Sequence, residues 1–106
     1  MTTISDYFET IQTIAAGGSA ATGSSKNGQG DATFQATVSG TGAVSATVNI
    51  EVSNDNTNWL VLGTITLSGT TSATDGFAST ANRRCVRSNC TTISGTNAAL
   101  SVVMGA

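Results

Sequence analysis

The sequence predicts an all-β fold, a small antiparallel β-sandwich or jelly-roll-like barrel with an N-terminal arm, and three observations carry that prediction. Thr and Val are abundant while Leu, Glu and Lys are scarce, a usage that suits a pleated, half-buried surface better than a helix. From Phe34 onward apolar residues recur at a period close to two, as they do in strands with one buried face. Clusters of Gly, Ser and Asn separate those runs, as turns separate short strands.

The elements follow in chain order. In Met1 to Ile14 the residues Ile4, Phe8, Ile11 and Ile14 suit a short helix while Tyr7, Glu9 and Ile11 suit a strand, and the segment reads as an extended arm or an edge strand. Ala15 to Gly30 holds five glycines and nothing large to bury, the composition of a flexible linker or long loop. The expected division is therefore an arm and linker over 1–30 and a β-sandwich domain over 31–106.

Phe34, Ala36 and Val38 alternate with Thr33, Gln35 and Thr37, and Ser39 to Gly42 reads as a Gly-rich hairpin connection. In the next strand Val44, Ala46, Val48, Ile50 and Val52 share one face, with Ser45, Thr47, Asn49, Glu51 and Ser53 on the other. Ser53 to Asn58 is a polar turn of residues that bond their own backbone and tolerate positive φ.

A strand from Trp59 to Leu67 puts Trp59, Val61, Ile65 and Leu67 on one face, with Leu60 and Leu62 on the other. Both faces begin apolar, so its first half is expected to be covered on two sides or to meet a neighbouring subunit. Ser68 to Gly76 reads as a polar loop, and Phe77 to Ala81 as a short strand. Arg84 to Thr92 is a longer strand with Val86, Ser88 and Cys90 inward and Cys85, Arg87 and Asn89 outward. Beyond the turn at Ser94 to Asn97, Leu100, Val102 and Met104 mark the last strand. The uneven spacing of the turns excludes a solenoid of fixed repeat.

Composition also removes function classes. About half of the 106 residues are Thr, Ser, Gly or Asn, none is His or Pro, and four Lys or Arg stand against six Asp or Glu. Without histidine there is no imidazole base, no Ser-His-Asp triad and no imidazole metal site, so the expectation is no enzyme, no catalytic residue, no cofactor and no metal. A pI near 4.5 with three of the four basic residues at Arg83, Arg84 and Arg87 argues against nucleic acid. No basic leader precedes an apolar run, and no window approaches a membrane span, so the chain reads as made in a cytoplasm and not inserted in a membrane.

Cys85 and Cys90 would lie on opposite faces of an extended strand, about 16 Å apart at roughly 3.3 Å per residue. That is too far for a disulfide, and the ligands zinc would still need are missing, so reduced thiols are expected. The single carboxylate of the Asn54 to Asn58 turn, Asp55, points to turn chemistry rather than a calcium loop.

The stretch Ile50-Glu51-Val52-Ser53-Asn54-Asp55-Asn56-Thr57-Asn58-Trp59, followed by Leu62-Gly63-Thr64, then Arg84-Cys85-Val86-Arg87 running into Thr92-Ile93-Ser94-Gly95-Thr96-Asn97 and a terminal Val102-Val103-Met104-Gly105, resembles small β-sandwich virion proteins of tailed bacteriophages. The resemblance covers roughly residues 44 to 105. Asn56 stands where that pattern has Gly, and Cys85 where it has an aromatic residue.

The resemblance implies a capsid decoration (cement) protein in the virion, assembled in the host cytoplasm, which binds the major capsid protein or another virion protein and forms a homo-oligomer such as a trimer. A tail, neck or fibre component is the alternative. The same two motifs occur in discoidin-like carbohydrate-binding modules, for which Trp59 and the 68–76 loop would meet a sugar.

Residues expected at a partner surface are Ile4, Tyr7, Phe8 and Ile11 of the arm, which could add a strand or helix to a partner, with Trp59, Arg84 and Arg87.

Overall fold

Residues 8–27, 31–80 and 84–105 are described by the computed structural model. Two antiparallel sheets pack face to face, and the molecule measures 18 Å along its thinnest axis, consistent with two layers about 10 Å apart plus their outward side chains. In chain order the strands are β1 (Phe8–Ile14), β2 (Ala21–Thr22), β3 (Lys26–Asn27), β4 (Ala32–Ser39), β5 (Val44–Ser53), β6 (Leu60–Gly69), β7 (Ser72–Ser79), β8 (Cys85–Ser94) and β9 (Ala99–Gly105). One sheet runs β1-β9-β4-β7. The other runs β2-β8-β5-β6, with β3 also pairing along β8. The fold is thus a sandwich of two open sheets and not a closed barrel.

Alternation decides what enters the core. Phe34, Ala36 and Val38 of β4, Val44, Ala46, Val48 and Ile50 of β5, Val86 and Cys90 of β8, and Leu100, Val102 and Met104 of β9 are all buried between the sheets. Their outward neighbours are mostly Thr, Ser and Asn. At one open side of the sandwich the Phe77 ring of β7 lies 5.4 Å from that of Phe34 and fills the space over Gly63 of β6, where any Cβ would collide with it.

Three expectations change. Ser39 to Gly42 does not close a hairpin, because β4 and β5 lie in different sheets. The connection turns a corner, with the Gly40 and Thr41 N–H groups donating to the Thr71 and Thr96 carbonyls. The polar stretch 68–76 is strand for most of its length, since β6 continues to Gly69 and β7 starts at Ser72. Its small side chains suit an edge strand whose faces are mostly wet, and periodicity cannot reveal such a strand.

The third change concerns the division at residue 31, while the edge-strand reading of the first segment stands. β1 pairs with β9 as an edge strand, and Ile11 and Ile14 are core residues. β2 and β3 pair with β8. The sandwich therefore includes residues before 31. A register shift between Thr10 and Gln12 turns Ile11 and Gln12 both inward, so strict alternation fails where the strand begins.

Candidate functional site

The outer face of the five-stranded sheet carries the most organised group of side chains. It is built on neighbouring positions of β5, β6 and β8, where Glu51 sits opposite Arg87 on one side and Val61 on the other, and Asn49 sits between Asn89 and Thr64. Arg87 Nε donates to Glu51 Oε1 at 2.7 Å, and Asn89 Nδ2 donates to Glu51 Oε2 at 3.1 Å. Thr64 Oγ1 donates to Asn49 Oδ1 at 2.8 Å, and Thr22 Oγ1 donates to Asn89 Oδ1 at 3.1 Å. The Arg87 guanidinium carbon lies 4.2 Å from the Trp59 ring centroid, within cation–π range. Alternation places Glu51 outward, yet it is only 8% exposed, because these neighbours cover it.

A bulge between β5 and β6 creates the arrangement. The register passes from Ile50 opposite Gly63 to Glu51 opposite Val61, leaving Leu62 as the extra residue. Ile65 and Leu67 remain buried, whereas Val61 changes face and is 57% exposed; Leu60 is 71% exposed at the end of the strand. Trp59, Val61, Ile65 and Leu67 therefore do not share a face as expected. The two aromatic and aliphatic residues before the bulge instead join Arg87 outside.

The turn entering β6 is held by its own polar groups. The Asp55 carboxylate accepts the N–H groups of Thr57 and Asn58, the Asn58 side-chain amide and the Ser53 hydroxyl. Ser53 Oγ in turn accepts the N–H groups of Asp55 and Asn56. Those donors, the Asn58 N–H foremost, hold the Asp55 carboxyl far below the usual carboxylate range. Asn56 takes a φ of 60°, the left-handed conformation that Asn tolerates in place of Gly. This turn fixes the direction in which Trp59 leaves it. Among the described residues no three His, Cys, Asp or Glu side chains gather as a metal site would need.

Of the residues expected at a partner surface, the fold brings Trp59 and Arg87 together. Arg84 is exposed just before β8 and enters none of these contacts. Ile11 is 2% exposed in the core and is not available to a partner, for the reason given by the β1 bulge. Phe8 lies in β1, and its side chain, like Ile4 and Tyr7, is outside the described residues. Glu51, Asn49 and Asn89 were missed as site residues, since only the pairing of β5 with β8 brings them together. Both cysteines are free thiols; burial pushes the Cys90 thiol up, and its S–H donates to the Thr92 carbonyl.

No known family matches the sequence, and no curated protein does. Among solved structures the fold is similar to the PBSX exported protein XepA, with a TM-score of 0.50 and 15% sequence identity. The similarity extends over 100% of this chain but only 39% of that one, so the chain spans well under half the length of XepA. The likeness is one of fold.

Proposed function

We propose that this chain is a non-enzymatic structural protein of a phage virion, most concretely a capsid decoration protein that binds the major capsid protein, stabilises the shell and self-associates. The observation that carries the reading is the outer-face platform in which Trp59 and Arg87 are held against each other beside exposed Val61. Trp and Arg are the residues most often found to dominate binding energy at protein interfaces. Here Glu51, Asn89 and the Asp55-centred turn hold them in place before any partner arrives, which reduces the entropy lost on binding. The phage-type motifs at 50–64 and 84–97 supply this same platform: their residues form the turn, the β6 bulge and the Arg87 strand. The fold likeness to the PBSX exported protein XepA accords with that setting.

On a particle, many copies would let a weak contact act with high total avidity. The reading is tested by mass spectrometry of purified particles, with copy number, for wild type and Trp59→Ala. The expected result is many copies per head and loss of the chain from particles in the variant while its fold is retained. Copies that sediment with separated tails would move the role to the tail, neck or fibre. Absence from particles, with Trp59-dependent binding to a glycan, would replace the reading by a carbohydrate-binding one.

A further inference from the structure

We infer that the exposed head of edge strand β6 pairs antiparallel with the same strand of a second copy, about a two-fold axis, with Leu60 and Val61 at the contact. This gives a location to the self-association contained in the proposed function and rests on that reading for its biological setting alone.

β6 is the outermost strand of its sheet, and Leu60 and Val61 are the large apolar side chains exposed among the described residues. An unpaired edge strand presents free backbone donors and acceptors and invites another strand, and proteins that must avoid this place charges there. The other edges of this sandwich are blunted by charge or by shortness, β2 being only two residues long. β1 carries Glu9, which pairs with Lys26 of β3 at 3.8 Å. β7 carries Asp75 opposite the inward-facing Ala36, and the Asp75 carboxylate caps the N–H of Gly76. The ten residues of β6, LVLGTITLSG, include no charge.

That neutrality selects the occupant. Two-fold pairing sets a strand against its own sequence, where like charges directly opposite are destabilising. β1, β3 or β7 would bring Glu9, Lys26 or Asp75 toward its own copy, while β6 brings only Leu, Val, Thr, Ile, Ser and Gly. A partner that docked through opposite charge would find nothing on this strand to complement.

The bulge also turns Val61 to the outer face. The Val61 side chains of both copies would become neighbours on the outer face, and the two Trp59–Arg87 platforms would merge into one self-complementary surface, as an isologous interface requires. At its far end the strand turns into β7, so the head of the strand lies away from that connection.

The test is sedimentation equilibrium of the full chain across a wide concentration range, with amide hydrogen exchange at residues 60–63. Wild type should approach the dimer mass as concentration rises, with slower exchange of the outward amides of that segment. Leu60→Lys/Val61→Lys should remain a monomer, with an unchanged circular dichroism spectrum and thermal midpoint. A wild-type monomer throughout, a trimer, or a dimer that survives the double substitution would overturn the inference. A dimeric chain absent from phage particles would overturn the virion reading and leave this one standing, and a monomer present in particles would do the reverse.

Discussion

Arg87 and Glu51 are 36 residues apart in sequence and 2.7 Å apart in the fold, and the same guanidinium that donates to Glu51 lies over the Trp59 ring. One side chain thus serves two purposes, neutralising a nearly buried carboxylate and packing against the Trp59 ring.

Arg87→Ala should therefore act on stability and on Trp59 together. Leaving the Glu51 carboxylate with Asn89 as its remaining side-chain donor should cost about 1–3 kcal/mol in urea unfolding, the usual range for a charged hydrogen bond lost from a covered site. Because the chain has one tryptophan, its fluorescence reads the same event, and the emission should shift to the red as the ring loses its cover. Arg87→Lys should restore the charge without the planar stacking, recovering part of the stability and little of the emission. An unchanged spectrum in Arg87→Ala would show that the guanidinium does not hold the ring.

The Asp55 turn predicts a pH dependence. Its carboxyl titrates well below the ordinary value of about 3.9. A carboxyl depressed in the folded state contributes stability above its unfolded pKa and loses it as pH falls toward the folded one. Asp55→Asn should therefore lower the urea midpoint near neutral pH, and the gap to wild type should narrow steadily as pH drops below about 4. A gap that stayed constant through that range would mean that the charge contributes nothing.

Gln12 and Ser88 form a buried polar link between the sheets. Ser88 Oγ donates to Gln12 Oε1 at 2.6 Å, and Gln12 Nε2 donates to the Ala21 carbonyl at 2.7 Å. Gln12→Leu would leave a fully buried hydroxyl without that acceptor, at a cost of about 1–3 kcal/mol. Adding Ser88→Ala should return part of the loss, since removing both partners costs less than orphaning one. Thermal unfolding of the four proteins in the cycle gives the coupling, and an additive cycle would contradict it.

Gly63→Ala should destabilise by about 1–3 kcal/mol through overpacking, because the new methyl would meet the Phe77 ring at 2.5 Å. Phe77→Leu in the same chain should relieve part of that cost. If Phe77→Leu instead adds its full penalty to that of Gly63→Ala, the ring is not what excludes a side chain at this position.

Much of the sandwich was legible in the sequence. Strands β4, β5, β8 and β9 lie within a residue or two of where alternation placed them, with the inward and outward sets at 34–38, 44–50, 85–90 and 100–104 as expected. The failures occur at bulges and edges. Val61 was assigned a face by counting in twos, and the β6 bulge shifts it by one residue; Ile11, expected at a partner surface, is buried where β1 shifts register. β7 was half hidden because a wet edge strand of Ser, Ala, Thr, Asp and Gly resembles a loop in composition.

The class of fold, the self-bonded turn at 53–58 and most of the residues that fill the core are encoded locally: alternation chooses a face, and Asn, Asp and Ser choose a turn. Which strands became neighbours was decided only in three dimensions. Backbone hydrogen bonding is the same for every residue pair, so a strand's sequence states which face it buries but not which strand it lies beside. The Glu51–Arg87–Trp59 platform exists because β8 lies beside β5 and one extra residue in β6 reversed a face, and both depend on packing the whole sandwich at once.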